Sequence, residues 1–235
     1  AAIFTTLLAA FAAAQIVDMV TGHPNTRPTA ADVGERLRSL GHRVTSVGRF
    51  GGFTGFEGFR VATDDGTPMF VKVVHRDSWA GLVPLRLLRS VRFRDSGDQP
   101  AFRSLRSGVE HEALAALKSY ADGVPTPRVA VVTSCGPNAM LMGVENPSFT
   151  SLATLPAERR DHGVLRGVWR VVAALQEHHT AHRRCNADVL MVDDDGDVKL
   201  VGFGAAELGV SGPMLATYVA EALALSAALF GVEDT

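Results

Sequence analysis

Apolar and polar residues change their spacing several times along the chain, and each change marks a new element. The first twenty residues, AAIFTTLLAAFAAAQIVDMV, form one apolar run, about the length a helix needs to cross a bilayer. Gln15 and Asp18 stand near its end, where a polar side chain reaches an interface. The same alanine-rich run also suits a helix buried in a core; its low Leu and Ile content keeps both readings open. It lacks a basic leader and a small-residue cleavage site, so a secretory signal is a poor fit. The linker TGHPNTRPT follows, and Thr29 is placed to cap a short helix over AADVGERLRSLG that Gly41 closes.

Beyond His42 the period falls to two. HRVTSVGRF reads as a strand, GGFTGFEG as a glycine-rich loop, and FRVAT and PMFVKVV as two strands joined by the turn Asp64-Asp65-Gly66. A helix is expected through VEHEALAALKSYADG, ended by Gly123. The strands PRVAVVT and AMLMGVE come next, separated by Gly-Pro-Asn. Past Pro147 the spacing turns helical, with Leu165, Val168, Val172 and Leu175 on one face. VLMVD and VKLVGF are short strands around Asp194-Asp195-Gly196, and PMLATYVAEALALSAALFG is a final helix. The chain therefore has a mostly β first half with one long helix, then a mostly α second half with one hairpin.

Composition narrows the classes. With 46% hydrophobic and 20% charged residues over 235 positions, the chain can bury a large core. A formal net charge of -2 argues against nucleic acid as a partner, because such binders carry a basic excess. Cys135 and Cys185 make neither a disulfide framework nor a CxxC metal site, which suits a reducing compartment. The start at Ala1, with no initiator Met, suggests a piece of something longer.

The order of elements and four motifs resemble the protein-kinase-like superfamily. FVKVV carries Lys72 mid-strand, as in the lysine strand of kinases; VEHEALAAL carries Glu112, in the place of the glutamate that pairs with that lysine. GVPTPRV resembles the following turn and strand, and AHRRCNADVLMVDDDGDVKLVGFG the catalytic loop, strand pair and metal-binding DFG segment. The closer similarity is to kinase-like domains of bacterial flippase-type, lysylphosphatidylglycerol-synthase-like integral membrane proteins. The resemblance implies an α+β, two-lobed kinase-like fold with a β-rich N-lobe carrying one long helix and a mainly helical C-lobe. It covers the chain from about the glycine loop to the last helix and divides it into an N-lobe at 46–145 and a C-lobe at 146–235, preceded by the apolar helix of membrane-spanning length at 1–20 and the linker and short helix at 21–45.

The resemblance fails where phosphoryl transfer needs it. That reaction depends on an Asp that orients the attacking hydroxyl, and on an Asn and the DFG Asp that hold magnesium against the phosphates. Aligned without gaps, these three positions fall on Arg184, Val189 and Gly202, after the loop histidine His182. Gly cannot ligate a metal, and Arg184 sets a positive charge where a carboxylate should accept a proton. A single transition-state charge contact is worth about 10³ in rate or more, so the expectation is a pseudokinase: not an enzyme, with no catalytic residue, no metal and no required cofactor. Metal-independent nucleotide binding stays open, since an adenine slot needs only backbone groups and apolar walls such as AMLMGVE.

Other features carry weaker signals. Gly52, Gly55 and Gly58 recur every third residue, which is not GxGxxG, and Phe50, Phe53, Phe56 and Phe59 interleave with them. They suit either a vestigial phosphate cradle with Lys72 and Glu112 or a hairpin whose rings pack or plug the cleft. From Arg76 to Arg106 seven arginines face three aspartates, and Arg86, Arg89, Arg92 and Arg94 alternate with Leu85, Leu88, Val91 and Phe93. This pattern fits an anionic lipid surface or a phosphorylated protein partner, or a solvated helix. His178 and His182 lack the third ligand of a metal site. The functional expectation is a regulatory or binding domain attached to a membrane domain at the cytoplasmic face of the cell membrane. The alternatives are an atypical phosphotransferase using Asp188, Asp193 and Asp194, and a purely structural scaffold.

Overall fold

The computed structural model describes residues 27–53, 55–76, 104–145 and 148–231, together with Thr6 and Ala13. The expected apolar helix at 1–20 and the arginine-rich stretch that includes Arg86, Arg89, Arg92 and Arg94 lie almost wholly outside these residues. The described residues form a mixed α+β fold, with four full α-helices among them and a mostly antiparallel sheet.

Helix α1 (Ala30–Ser39) begins at a capping box. The Thr29 hydroxyl accepts from the Asp32 amide at 3.3 Å, and the Asp32 carboxylate takes the Thr29 amide at 2.7 Å. Strands β1 (Val44–Phe53), β2 (Phe56–Thr63) and β3 (Met69–His75), with β4 (Val129–Ser134) and β5 (Ala139–Glu145), form one antiparallel sheet in the order β1-β2-β3-β5-β4. The glycine stretch expected as a loop is mostly strand: Gly52 pairs with Glu57 and Phe53 with Phe56. Gly55 takes φ 91°, a conformation open to glycine, and this lets the hairpin close so tightly.

Strand alternation gives the sheet two faces. On one, Val33 and Leu37 of α1 bury against Phe59, Val61, Val71, Val73 and Leu141. On the other, helix α2 (Leu105–Ala121) packs Val109, Ala113 and Ala116 with Val74, Met140 and Met142. This second cluster runs on into the helical half of the chain, through Val168, Leu175, Leu190, Leu200 and Phe203.

That half starts with a short strand β6 (Phe149–Ser151) and helix α3 (His162–Glu177), whose Asp161 cap accepts from the Gly163 and Val164 amides at 2.8 and 2.9 Å. Leu165, Val168, Val172 and Leu175 are all buried, as their spacing implies. Strands β7 (Thr180–Ala181), β8 (Leu190–Asp193), β9 (Val198–Leu200) and β10 (Glu207–Leu208) follow, with β6-β8-β9 and β10-β7 as two small sheets. Gly167 brings α3 against β9 so closely that a Cβ there would lie 2.5 Å from a Val198 methyl. Helix α4 (Gly212–Phe230) ends the described chain; among the described residues it is the one helix long and apolar enough to cross a membrane.

Candidate functional site

The site is built where β3, α2 and the segment around β8 and β9 meet. Lys72 stands mid-strand in β3, paired with Gly58 of β2 on one side and Met142 of β5 on the other. Its side chain leaves the α2 face of the sheet. Ser104 caps α2 by accepting from the Ser107 amide at 3.1 Å. Two turns later the same helix delivers Glu112, 6% exposed, to that face. The Lys72 ammonium donates to both carboxylate oxygens, at 2.9 Å to Oε1 and 2.8 Å to Oε2. The Phe56 ring centroid lies 4.9 Å from the same nitrogen. The pairing expected from sequence is therefore present, and Phe56 is added to it.

Helix α2 is also held from the far side. The Nε2–H of His111 donates to the carbonyl of Ala206 at 2.9 Å, tying the turn before Glu112 to the segment after Phe203. Sequence reading passed over His111, although its place beside Glu112 is visible there.

The loop that resembles a catalytic loop is anchored by its histidine. His182 is fully buried, stacks edge-on against Phe203 with centroids 5.0 Å apart, and donates from Nε2 to the Val201 carbonyl at 3.0 Å. Its Nδ1 finds no hydrogen-bond partner among the described residues. Burial disfavours the imidazolium and pulls the His182 pKa down to about 4. The ring is thus a neutral strut between the loop and the Gly202-Phe203-Gly204 turn. Arg183 follows at φ 62° and pairs with Glu207 of β10.

The three departures from the kinase pattern lie along this strut. Arg184 is exposed at the loop surface. Val189 is half-buried against the main core, and its carbonyl accepts from the Val201 amide at 2.9 Å. Gly202 adopts φ 84°, ψ 42°, and a Cβ there would meet Val189 Cγ1 at 3.4 Å. A side chain at 202 would therefore start in contact with a methyl group, from a backbone conformation that L residues rarely adopt. The carboxylates considered as substitutes are placed elsewhere. Asp193 Oδ1 accepts from the amides of Asp195 and Asp197 at 3.1 and 2.8 Å, closing the β8–β9 turn, while Asp188 and Asp194 are exposed.

Gly52, Gly55 and Gly58 are split by the hairpin: Gly52 lies next to the last residue of β1, Gly55 is in the turn, and Gly58 is buried opposite Lys72. The phenylalanines part as well. Phe59 is buried under α1, Phe50 sits edge-on to Phe70 at 5.9 Å, and Phe56 reaches Lys72. Arg86, Arg89, Arg92 and Arg94 lie outside the described residues, so the surface expected of them is not placed. No protein-family model matches the chain, and no curated protein matches it.

Proposed function

We propose that the chain is a catalytically inactive kinase-like module, a pseudokinase that serves as a regulatory or binding domain of a membrane protein at the cytoplasmic face of the membrane. The carrying observation is the contrast within one cleft. The Lys72–Glu112 pair is intact and bidentate, while Arg184, Val189 and Gly202 supply neither proton acceptor nor metal ligand. A lysine–glutamate tie between sheet and helix holds architecture without chemistry, since ion pairs persist for specificity as well as for catalysis. Phosphoryl transfer, by contrast, is positioning and charge neutralisation, and Val189 against Gly202 offers an apolar wall where those charges belong.

The two-lobed kinase-like arrangement is the reading that best accounts for this pairing of sheet, helix and buried histidine loop. The membrane context rests on the resemblance, on the apolar 1–20 run, on the arginine-rich stretch and on α4, with a mean hydropathy of 1.5 over its most apolar window. The attached membrane domain is the partner, with anionic lipid or a phosphorylated protein as the ligand class for the arginines. The test is phosphate release and transfer from ATP with Mg²⁺, using wild type and Lys72→Ala against a panel of protein and small-molecule acceptors. The expected result is no product above background from either protein. Mg²⁺-dependent product that Lys72→Ala abolishes would overturn the proposal.

A further inference from the structure

The cleft residue that sequence reasoning assigned to the glycine hairpin has a more specific job. An ammonium has three N–H donors, and in Lys72 the two Glu112 oxygens engage it at 2.8 and 2.9 Å. The remaining side faces Phe56, whose ring centroid is 4.9 Å from Nζ, within the range at which an aromatic face attracts a cation. Residue 58, directly opposite Lys72 across the ladder, is glycine. Phe56 and Gly58 share one face of β2. Phe56 also packs against the main core cluster. The Lys72 side chain keeps 23% exposure and Glu112 9%.

The hairpin that carries Phe56 is rich in glycine. Gly51, Gly52, Gly55 and Gly58 fall within eight residues, Gly51 and Gly55 sit at positive φ, and the β1–β2 register slips between Arg49 and Gly52. Glycine in a strand interior weakens pairing and marks a bend.

We propose that Phe56 is a plug: it caps the side of the Lys72 ammonium that Glu112 leaves open and keeps anionic ligands from it. The plug occupies the ground an incoming anion would need, so any ligand of Lys72 must displace an aromatic ring the chain itself supplies. The inference rests on the reading of this cleft as vestigial, but its test reads access to Lys72 and not phosphoryl transfer, so the two fail separately.

The experiment is brief amine acylation of the folded chain with acetic anhydride, mapped by mass spectrometry. Lys72 labelling is divided by that of Lys118, whose side chain is 51% exposed, in the same molecules. Phe56→Ala is expected to raise this ratio about fivefold or more, as befits loss of a cation–ring contact together with its steric cover. Phe56→Leu, which keeps apolar volume against the core but lacks the ring, is expected to raise it about twofold or more, and is read alone if the alanine variant fails to fold. An unchanged ratio in the folded variants would overturn the proposal. So would wild-type Lys72 reacting as fast as Lys118.

Discussion

Replacing Lys72 by methionine isolates the energy of the sheet–helix tie. Methionine keeps most of the stem volume in β3 and removes the charge, leaving the Glu112 carboxylate buried at 9% side-chain exposure without its bidentate partner. Breaking a fully buried pair in this way costs about 3–5 kcal/mol. Here Lys72 keeps 23% exposure, which admits some water to the orphaned carboxylate, so the expected cost is about 2–4 kcal/mol. The reverse change, Glu112→Leu, strands an ammonium that still has the Phe56 ring and a flexible stem reaching toward solvent, so it should cost about 1–2 kcal/mol. The double variant Lys72→Met/Glu112→Leu places two apolar side chains face to face and should recover most of the loss, giving a coupling of about 1–3 kcal/mol.

The comparison pair lies on the same helix. Arg106 donates to Glu110 at 2.7 Å, but their side chains are 77% and 49% exposed, and Arg106→Ala should cost under about 0.5 kcal/mol. The assay is urea unfolding followed by circular dichroism at pH 7, where the linear slope should stay constant across variants. In thermal melts, the Lys72→Met loss corresponds to a fall of about 5–10 °C. A Lys72→Met variant within about 0.5 kcal/mol of wild type, or a coupling no larger than that of the exposed pair, would refute the argument that this pair is an architectural tie.

Three further outcomes are expected. His182 is held neutral in the fold with a pKa near 4 against an ordinary 6.5, so the unfolded chain binds the extra proton; stability should fall as pH drops from about 6.5 to 4, by an amount on the order of 3 kcal/mol. Denaturation series across that range should show the slope, and His182→Phe should flatten it. Gly167→Ala sets a Cβ 2.5 Å from the Val198 methyl, so unfolding measurements should show a loss of about 1–3 kcal/mol. Gly202→Asp introduces a side chain at φ 84° against Val189 Cγ1. It should cost about 1–2 kcal/mol, and calorimetry should detect no Mg²⁺ binding, because the neighbouring position is still valine.

Much of this arrangement was legible in the residues because local pattern and burial agree. The Thr29 capping box, the α3 face of Leu165, Val168, Val172 and Leu175, and the turn at Asp194-Asp195-Gly196 each follow from short-range chemistry. The Lys72–Glu112 contact spans forty positions, and its expectation came from resemblance, not from spacing. What was not legible depends on register. Nothing in GGFTGFEG says how far the strands run, so neither the pairing of Gly58 with Lys72 nor the placing of Phe56 over the ammonium could be read from spacing alone. The His111 latch likewise needs the turn after Phe203 to fold back onto α2, a contact ninety-five residues away. The short strands β7 and β10 are two residues each, below the length at which alternation gives a signal.

The central claim is that the cleft has lost its metal-dependent chemistry, and nucleotide-dependent melting tests it most directly. The chain would be melted with ATP and with ADP, each with and without Mg²⁺, and with Mg²⁺ alone as reference. A ligand at a hundred times its Kd adds about 2.7 kcal/mol, or about 5–10 °C for a chain of this size. The account predicts that Mg²⁺ adds nothing to whatever shift either nucleotide produces, because Arg184, Val189 and Gly202 offer it no ligand. A stabilisation that appears only when nucleotide and Mg²⁺ are present together would contradict it.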